Sequence, residues 1–248
     1  MMDVPWTERE LRRQIVKACA ALSKRNLVAA TDGNVSARLS SDRVLVTPSG
    51  VSKGDVDEFD ILLCDMEGRK VRGRGETSSE VHVHLAIYRA REDLCGVVHA
   101  HPPVASAFTF AGVENLLLEP VIPEVVAQIG PIPSVPYIQP GTRELAEAVG
   151  AKFKECDIVM MAQHGAAAGG KDPWAAYLRM EKLEHAAVIL KAARELAQSE
   201  GTRIRTLSDR QVRELRGGYG KGALGGEPND DAAFVDRIAS EVLSRLRT

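Results

Sequence analysis

The sequence predicts an α/β domain in which helices cover a mixed sheet. Stretches with the apolar spacing of helices are interleaved with short apolar runs that are typical of strands. The strands do not alternate one for one with helices, and this favours a mixed sheet over a purely parallel one. The chain has 248 residues, which is enough for one large domain that buries its own core.

The first third of the chain predicts one helix followed by two strand pairs. The helix, residues 7–24, is amphipathic, and Thr7 with Glu10 has the spacing of a capping box. Short apolar runs then predict two hairpins, with strands at residues 35–39, 43–47, 59–64 and 70–72. A second capping box, Thr77 with Glu80, is predicted to open a helix that ends near residue 91.

The rest of the chain predicts further strands and helices in alternating groups. Apolar runs predict strands that include residues 97–100, 116–121, parts of 125–138, and 157–162. Helices are predicted at residues 102–110, 142–153, 172–198 and 207–216. A glycine-rich stretch and an amphipathic helix at residues 232–246 complete the chain. We therefore predict a main domain, residues 1–216, followed by a linker and a C-terminal helix within residues 217–248.

Composition and charge exclude several classes of protein. Apolar residues make up 44% of the chain, charged residues 27%, and the net charge is −2, so we expect neither nucleic acid nor a membrane as partner. No apolar run approaches the ~20 residues of a membrane span. The cysteines are scattered and form no Cys-x-x-Cys pair, which argues against a disulfide framework or a cysteine zinc site. We expect a cytoplasmic protein.

Three histidines stand at the ends of predicted strands, namely His99, His101 and His164. Residues two apart on a strand face the same way, so His99 and His101 would present their imidazoles together. Neutral imidazoles suit a first-row metal ion, most often Zn²⁺, with Mn²⁺, Co²⁺ or Fe²⁺ as alternatives. Each histidine taken alone is equally typical of a polar residue in a turn.

One carboxylate and several neutral donors could complete such a site. Glu80 could be a fourth ligand in the resting state and a base when substrate arrives. On its helix His84 lies one turn beyond Glu80, whereas His82 points away. Loop residues that offer the neutral donors suited to phosphate are Asn34, Thr47, Gly50, Ser78 and Ser79. Taken one by one, these residues are also typical of hairpin turns and helix starts.

Taken together and in order, five short motifs resemble the class II aldolase family, the fuculose-1-phosphate aldolase and ribulose-5-phosphate 4-epimerase superfamily. The motifs are Gly33-Asn34-Val35-Ser36, Thr47-Pro48-Ser49-Gly50, Ser78-Ser79-Glu80, His99-Ala100-His101-Pro102 and His164-Gly165. The similarity runs from about residue 11 to residue 216. Pro136-Tyr137 and the run from Gly141 to Leu145 look like the aldolase branch.

The resemblance implies a mixed, largely antiparallel central sheet flanked by helices in three layers. It implies a zinc ion held by His99, His101, His164 and Glu80, with Glu80 also acting as general acid and base. The five loop residues named above would bind the phosphate of a sugar phosphate. The implied reaction is cleavage of a ketose 1-phosphate to dihydroxyacetone phosphate and an aldehyde, catalysed by a homotetramer with active sites between subunits.

The chain departs from the family in one region. Family aldolases place a catalytic tyrosine where this sequence reads Pro-Val-Ile-Pro-Glu-Val, residues 120–125. Glu124 is the nearest candidate for the missing acid, and Tyr219 could match a C-terminal family tyrosine. A different residue here suggests a less polar aldehyde, such as that of a methylthioribulose or 5-deoxypentulose phosphate.

Three alternatives remain at this point. Within the family, the protein could be an epimerase, dehydratase or decarboxylase, although epimerases usually have an aspartate where Glu80 stands. An adducin-like interaction domain shares the fold but lacks the metal histidines. A cupin-like oxygenase also uses a His-x-His pair, but its glutamate follows the pair closely, and the long helices of this chain contradict an all-β barrel.

Overall fold

The computed structural model describes residues 5–219, and the helix predicted at residues 232–246 lies outside them. Within that range eight strands form one sheet: β1 (Asn34–Arg38), β2 (Arg43–Val46), β3 (Leu62–Asp65), β4 (Lys70–Arg72), β5 (Gly96–Ala100), β6 (Ser134–Val135), β7 (Ile158–Met161) and β8 (Gly165–Gly170). Their order across the sheet is β4-β3-β2-β1-β5-β8-β7-β6. Only β6 and β7 pair in parallel, so the mixed, largely antiparallel sheet is confirmed.

Helices cover both faces of this sheet. They are α1 (Glu8–Lys24), α2 (Val81–Ala90), α3 (Pro103–Phe110), α4 (Pro123–Gln128), α5 (Arg143–Phe153), α6 (Pro173–Ser199) and α7 (Asp209–Tyr219). One apolar core lies between the sheet and α1, α3 and α6, and a second lies between the opposite face and α2 with α5. The predicted three layers are therefore confirmed. None of the helices described is long and apolar enough to cross a membrane.

The central strand β1 shows how alternation divides its residues between the two cores. Val35 and Ala37 belong to the core beneath α1. The alternate residues Asn34, Ser36 and Arg38 face α2. They are also buried, with 3%, 0% and 3% of their surface exposed. A run of three buried polar side chains is unusual on a sheet face. These side chains are therefore expected to have a role besides packing, and Asn34 adjoins the candidate site.

Several predicted elements are wrong. Residues 114–128, predicted partly as strand, form a 3-10 helix (Glu114–Leu118) and α4, in which Pro123 occupies the first turn and lacks the N–H that a strand would use. The capping box at Thr77 does not form: Glu80 is the N-cap residue of α2 and makes no side-chain capping bond. The strand β8 was not predicted, because its sequence GAAAGG has none of the branched or aromatic residues typical of strands.

The division of the chain at residue 216 stays a prediction. Helix α7 continues to Tyr219, three residues past the boundary, so the predicted linker begins as helix rather than as an irregular stretch. The rest of the predicted extension, residues 220–248, lies outside the described part of the chain.

Gly96 is required where β5 passes beneath the start of α6. A Cβ at this position would lie 2.2 Å from the carbonyl carbon of Asp172 and 2.3 Å from the nitrogen of Pro173. Asp172 caps α6 by accepting a hydrogen bond from the Ala175 N–H at 2.7 Å. Helix α6 can therefore approach the sheet closely only over glycine.

Gly96→Ala should destabilise the fold, because neither the strand nor the cap of α6 can move without losing its hydrogen bonds. We expect the free energy of unfolding to fall by about 3 kcal/mol, the upper part of the usual range for overpacking, measured by urea denaturation. Gly217→Ala is the matched control, since nothing lies within 4 Å of its Cβ position and alanine favours a helix over glycine. Equal stability of the two variants would contradict the tight packing of α6 on β5.

Candidate metal centre and adjoining anion pocket

The ends of two neighbouring strands bring the three histidines together. His99 lies near the end of β5, His101 follows it directly, and His164 lies in the turn between β7 and β8. Because β8 pairs with β5, that turn returns beside the first two histidines. The ring centroids are 4.8–5.1 Å apart, and each ring offers a nitrogen within 4.8 Å of the others.

A hydrogen bond fixes the Nδ1 proton of His99, and His101 has an acidic neighbour. Nδ1 of His99 lies 3.0 Å from the carbonyl oxygen of Ala166, so it must carry the proton and donate it. Nδ1 of His101 faces the carboxylate of Asp32 at 3.6 Å. Burial lowers the pKa of His101 to about 4, so its ring is neutral near pH 7. Nε2 of His99 and Nε2 of His101 are 3.2 Å apart, so their lone pairs would repel each other unless one nitrogen carries a proton or a cation lies between them.

Glu80 adds a negative charge to the same point. Its carboxylate lies 3.2 Å from Nε2 of His99 and 3.1 Å from Nε2 of His164. Burial alone would raise the pKa of Glu80, but the neighbouring His99 and His164 imidazoles outweigh burial and hold this pKa well below its usual range. Burial would likewise lower the pKa of His99, yet the Glu80 carboxylate raises it. The centre thus attracts positive charge.

These distances fit a metal ion. In a tetrahedral site with nitrogen and oxygen ligands about 2.0 Å from the metal, neighbouring ligand atoms are about 3.3 Å apart. Three separations in the cluster, 3.1–3.2 Å, are close to that value, and the ligand nitrogens of the three histidines all lie within 4.8 Å of one another. Three imidazoles and one carboxylate could therefore hold a first-row metal ion without a large rearrangement.

Two residues outside the ligand set support the histidine turns. A Cβ on Gly165 would lie 2.4 Å from the carbonyl oxygen of Ala100 and 2.7 Å from the His101 ring, so only glycine fits behind His164. Glu184 on α6 accepts hydrogen bonds from the N–H groups of Val104 and Ala105 at 3.0 and 2.9 Å. It supplies the cap that Pro102 cannot, and fixes the start of α3 just after His101.

Neutral hydrogen-bonding groups of Asn34, Thr47 and Ser78, together called the anion pocket, adjoin Glu80. The Asn34 amide nitrogen lies 3.4 Å from the Ser78 hydroxyl and 3.3 Å from the Glu80 carboxylate. The hydroxyl of Thr47 is buried and accepts a hydrogen bond from the Val35 N–H at 3.2 Å. The structure therefore brings Asn34 and Ser78 to the carboxylate, with Thr47 beneath them.

The other two predicted phosphate-binding residues lie on neighbouring exposed loops. The Thr47–Gly50 turn runs beside the loop that precedes α2, since Pro48 bridges Thr77. Gly50 has a φ of 73°, and both it and Ser79 are exposed. Their groups can therefore be reached from solvent.

His84 is a site residue whose role the sequence did not reveal. It is fully buried on α2 and contacts the carbonyl oxygen of the Asn34 amide through Nε2. Burial lowers its pKa to about 3, so the ring stays neutral. The helical spacing from Glu80 correctly put both side chains on one face, but Asn34 is 50 positions away in sequence. Asp32 and Glu184 were also missed, and no local pattern marks them.

The two residues predicted to replace the family tyrosine lie on α4 and α7. Glu124 lies in the first turn of α4 with an exposed side chain. Tyr219 is the last residue of α7, and its side chain lies outside the described part of the structure. Their catalytic roles stay predictions.

Comparison with known sequences gives a consistent result. The family model for the Class II Aldolase and Adducin N-terminal domain matches residues 13–190. The chain is 34% identical over 176 residues to the L-fuculose phosphate aldolase of Methanocaldococcus jannaschii, an alignment covering 71% of this chain and 93% of the relative. It is 32% identical over 187 residues to the 3-oxo-tetronate 4-phosphate decarboxylase of Haemophilus influenzae, covering 74% and 85%.

The solved structures agree with the sequences. The crystal structure of YgbL from Klebsiella pneumoniae, provisionally assigned as an aldolase, epimerase or decarboxylase, has a TM-score of 0.77 and 28% identity over 85% of this chain and 100% of its own. The matched region of the family model contains all three histidines and Glu80. The chain therefore belongs to the family of the class II aldolase and adducin N-terminal domain.

Proposed function

We propose that this protein is a metal-dependent class II aldolase that cleaves a ketose 1-phosphate to dihydroxyacetone phosphate and an aldehyde. His99, His101, His164 and Glu80 would bind the metal, with Zn²⁺ favoured by three imidazole ligands. The observation that carries the proposal is the position of Glu80, whose ionised carboxylate touches two ligand imidazoles and faces the anion pocket. One side chain can thus serve the metal and the reacting carbon.

The chemistry requires a base beside a carbon whose electrons are stabilised. When bound, the metal would supply Lewis-acid polarisation of the substrate's carbonyl and hydroxyl oxygens. Glu80 would return a proton to the carbon left by bond cleavage, or remove that proton in the synthetic direction. Because the pKa of Glu80 lies well below its usual range in the free protein, the carboxylate would have to take up a proton from the substrate's hydroxyl or from solvent before it delivers one in the cleavage direction.

The anion pocket supports a phosphorylated substrate. We propose that Asn34, Thr47, Gly50, Ser78 and Ser79 bind the phosphate through amide, hydroxyl and backbone groups. Neutral donors bind phosphate without placing a cationic side chain beside Glu80, where it would neutralise the carboxylate. This arrangement would hold the three carbons that become dihydroxyacetone phosphate beside the carboxylate.

The aldehyde half of the substrate is less defined. We propose Glu124 or Tyr219 as the group that takes the proton from the substrate's hydroxyl as the aldehyde forms, and that returns it to the aldehyde oxygen in the synthetic direction, in a cytoplasmic homotetramer whose active sites lie between subunits. The absence of a tyrosine from residues 120–125 favours an aldehyde with fewer hydroxyl groups, such as those released from 5-deoxypentulose or methylthioribulose phosphates.

A decarboxylase acting on a phosphorylated sugar acid is the second candidate. The 32% identity to the Haemophilus influenzae 3-oxo-tetronate 4-phosphate decarboxylase supports it. Decarboxylation also leaves an electron pair beside a carbonyl, so the same metal ligands and phosphate pocket would serve both reactions. A non-catalytic adducin-like role is disfavoured, because such a domain has no use for three converging imidazoles.

Product analysis separates the two reactions. We expect dihydroxyacetone phosphate, measured by its enzymatic reduction with NADH, from at least one of fuculose, methylthioribulose or 5-deoxypentulose 1-phosphate. Release of carbon dioxide from 3-oxo-tetronate 4-phosphate, with no cleavage of any ketose, would overturn the aldolase proposal in favour of the second candidate.

Glu80→Gln should lower kcat by about 10²- to 10⁴-fold, the usual contribution of a positioned acid or base, since glutamine keeps the shape but cannot carry the proton. The measurement is steady-state turnover of the best substrate, with metal content determined in parallel. Glu92→Gln, on the exposed turn after α2, is the matched control and should behave as wild type. Activity of Glu80→Gln within threefold of wild type would exclude Glu80 as the base.

The affinity of the metal-free protein for Zn²⁺ should fall as the pH is lowered. A protonated imidazole cannot bind metal, and Glu80 raises the pKa of His99 above the usual value, which is about 6.5. Protons therefore begin to compete with Zn²⁺ above pH 6.5. Below the pKa of His99 the apparent affinity for Zn²⁺ should fall by about tenfold per pH unit. Competition with a zinc indicator at pH 8, 7 and 6 measures it. His82→Asn should show the same profile, and a flat profile for the wild type would contradict a histidine ligand with a raised pKa.

A further inference from the structure

A chain of four hydrogen-bonded side chains runs through the core between the sheet and α2. The Tyr88 hydroxyl lies 2.8 Å from the Ser36 hydroxyl, which lies 2.6 Å from Nδ1 of His84. Nε2 of His84 contacts the amide oxygen of Asn34. Tyr88, Ser36 and His84 are fully buried, and Asn34 is 3% exposed. The chain therefore begins in the apolar core and ends at the anion pocket.

The direction of every hydrogen bond in this chain follows from Glu80, which accepts a hydrogen bond from Asn34 at the end of the chain. The ionised Glu80 carboxylate can only accept, so the Asn34 nitrogen donates to it and the Asn34 oxygen must face His84. His84 then carries its proton on Nε2, and its bare Nδ1 accepts from Ser36. The Ser36 oxygen in turn accepts from the Tyr88 hydroxyl. Each group thus donates toward the pocket, and the Asn34 nitrogen also donates to the Ser78 hydroxyl at 3.4 Å.

Stability alone does not account for this arrangement. The four residues lie among the apolar side chains of the second core, where burying polar groups yields little net stability even when all are hydrogen-bonded. An apolar side chain in place of His84 would pack there without needing partners. What the chain adds to the Glu80 contact is a donor for the Asn34 oxygen, so that both ends of the amide are held and its NH₂ group stays toward the pocket.

We propose that His84 is a positioning residue that fixes the Asn34 amide with its NH₂ group toward the substrate phosphate, and that Ser36 and Tyr88 fix the His84 tautomer. The inference rests on the proposed function of the anion pocket, and deepens it. With the amide reversed, the Asn34 oxygen would repel both the phosphate and the Glu80 carboxylate. His84 thus controls affinity for phosphate without touching it.

Two substitutions of His84 separate positioning from packing. Glutamine places an N–H group where Nε2 stood and can still donate to Asn34, whereas asparagine reaches only as far as Nδ1. His84→Asn should raise the Kd for inorganic phosphate and the KM for the sugar phosphate about tenfold, as expected for one lost hydrogen bond to a charged group, with kcat changed less than threefold. His84→Gln should recover most of the loss, and His82→Asn should leave both constants unchanged.

Binding of inorganic phosphate, measured by calorimetry, keeps this test independent of the reaction catalysed. If the wild type binds phosphate but cleaves no ketose phosphate, the proposed reaction fails while the role of His84 can still be judged. Wild-type phosphate affinity in His84→Asn would overturn the positioning role. Where that variant does not fold, ¹⁵N NMR of the wild type decides: the Nε2–H tautomer supports the proposal, and the Nδ1–H tautomer overturns it.

Discussion

The candidate site depends on one electrostatic constraint, the crowding of imidazole lone pairs against a single carboxylate. Nε2 of His99 and Nε2 of His101 are 3.2 Å apart, and Glu80 brings a negative charge within 3.2 Å of His99. The His99 ring cannot turn its Nε2 away without losing the hydrogen bond from Nδ1 to Ala166, and Nδ1 of His101 faces the Asp32 carboxylate at 3.6 Å. These groups can coexist only around positive charge. Although burial lowers the pKa of His99, the Glu80 carboxylate raises it, and a metal ion would supply the same positive charge.

The sheet maintains this crowding through β8, the strand with the smallest side chains. Strand β8 consists only of glycine and alanine, which allows α6 to lie directly on β5 and β8. From that position Glu184 on α6 reaches the start of α3 and holds the turn after His101. Larger side chains on β8 would move α6 outward, and the carboxylate of Glu184 with it. The arrangement of the histidines is therefore determined partly by residues that never approach the metal centre.

Local sequence predicted the parts of the molecule that local chemistry controls. The caps at Thr7, Thr142 and Asp172 form as their side chains suggest, and the His-x-His pair lies where an apolar strand ends. Sequence failed where distant residues decide the outcome. Strand β8 exists because β5 and β7 pair with it, despite its weak propensity. Glu80 is not free to join the predicted capping box, because its carboxylate lies against histidines 19 and 84 positions away in the chain.

The geometry defines one half of the reaction more closely than the other. In the proposed reaction Glu80, the three histidines and the anion pocket would all act on the part of the substrate that keeps the electron pair, and that half is common to aldol cleavage and decarboxylation. The group that departs, an aldehyde or carbon dioxide, would be met by residues on the open side of the metal centre. Residues 120–125, where family aldolases place a tyrosine, contain none here, and Glu124 is exposed. Divergence in reaction within this family can therefore arise by changing the residues around the leaving group, while the charge constraint at Glu80 stays the same.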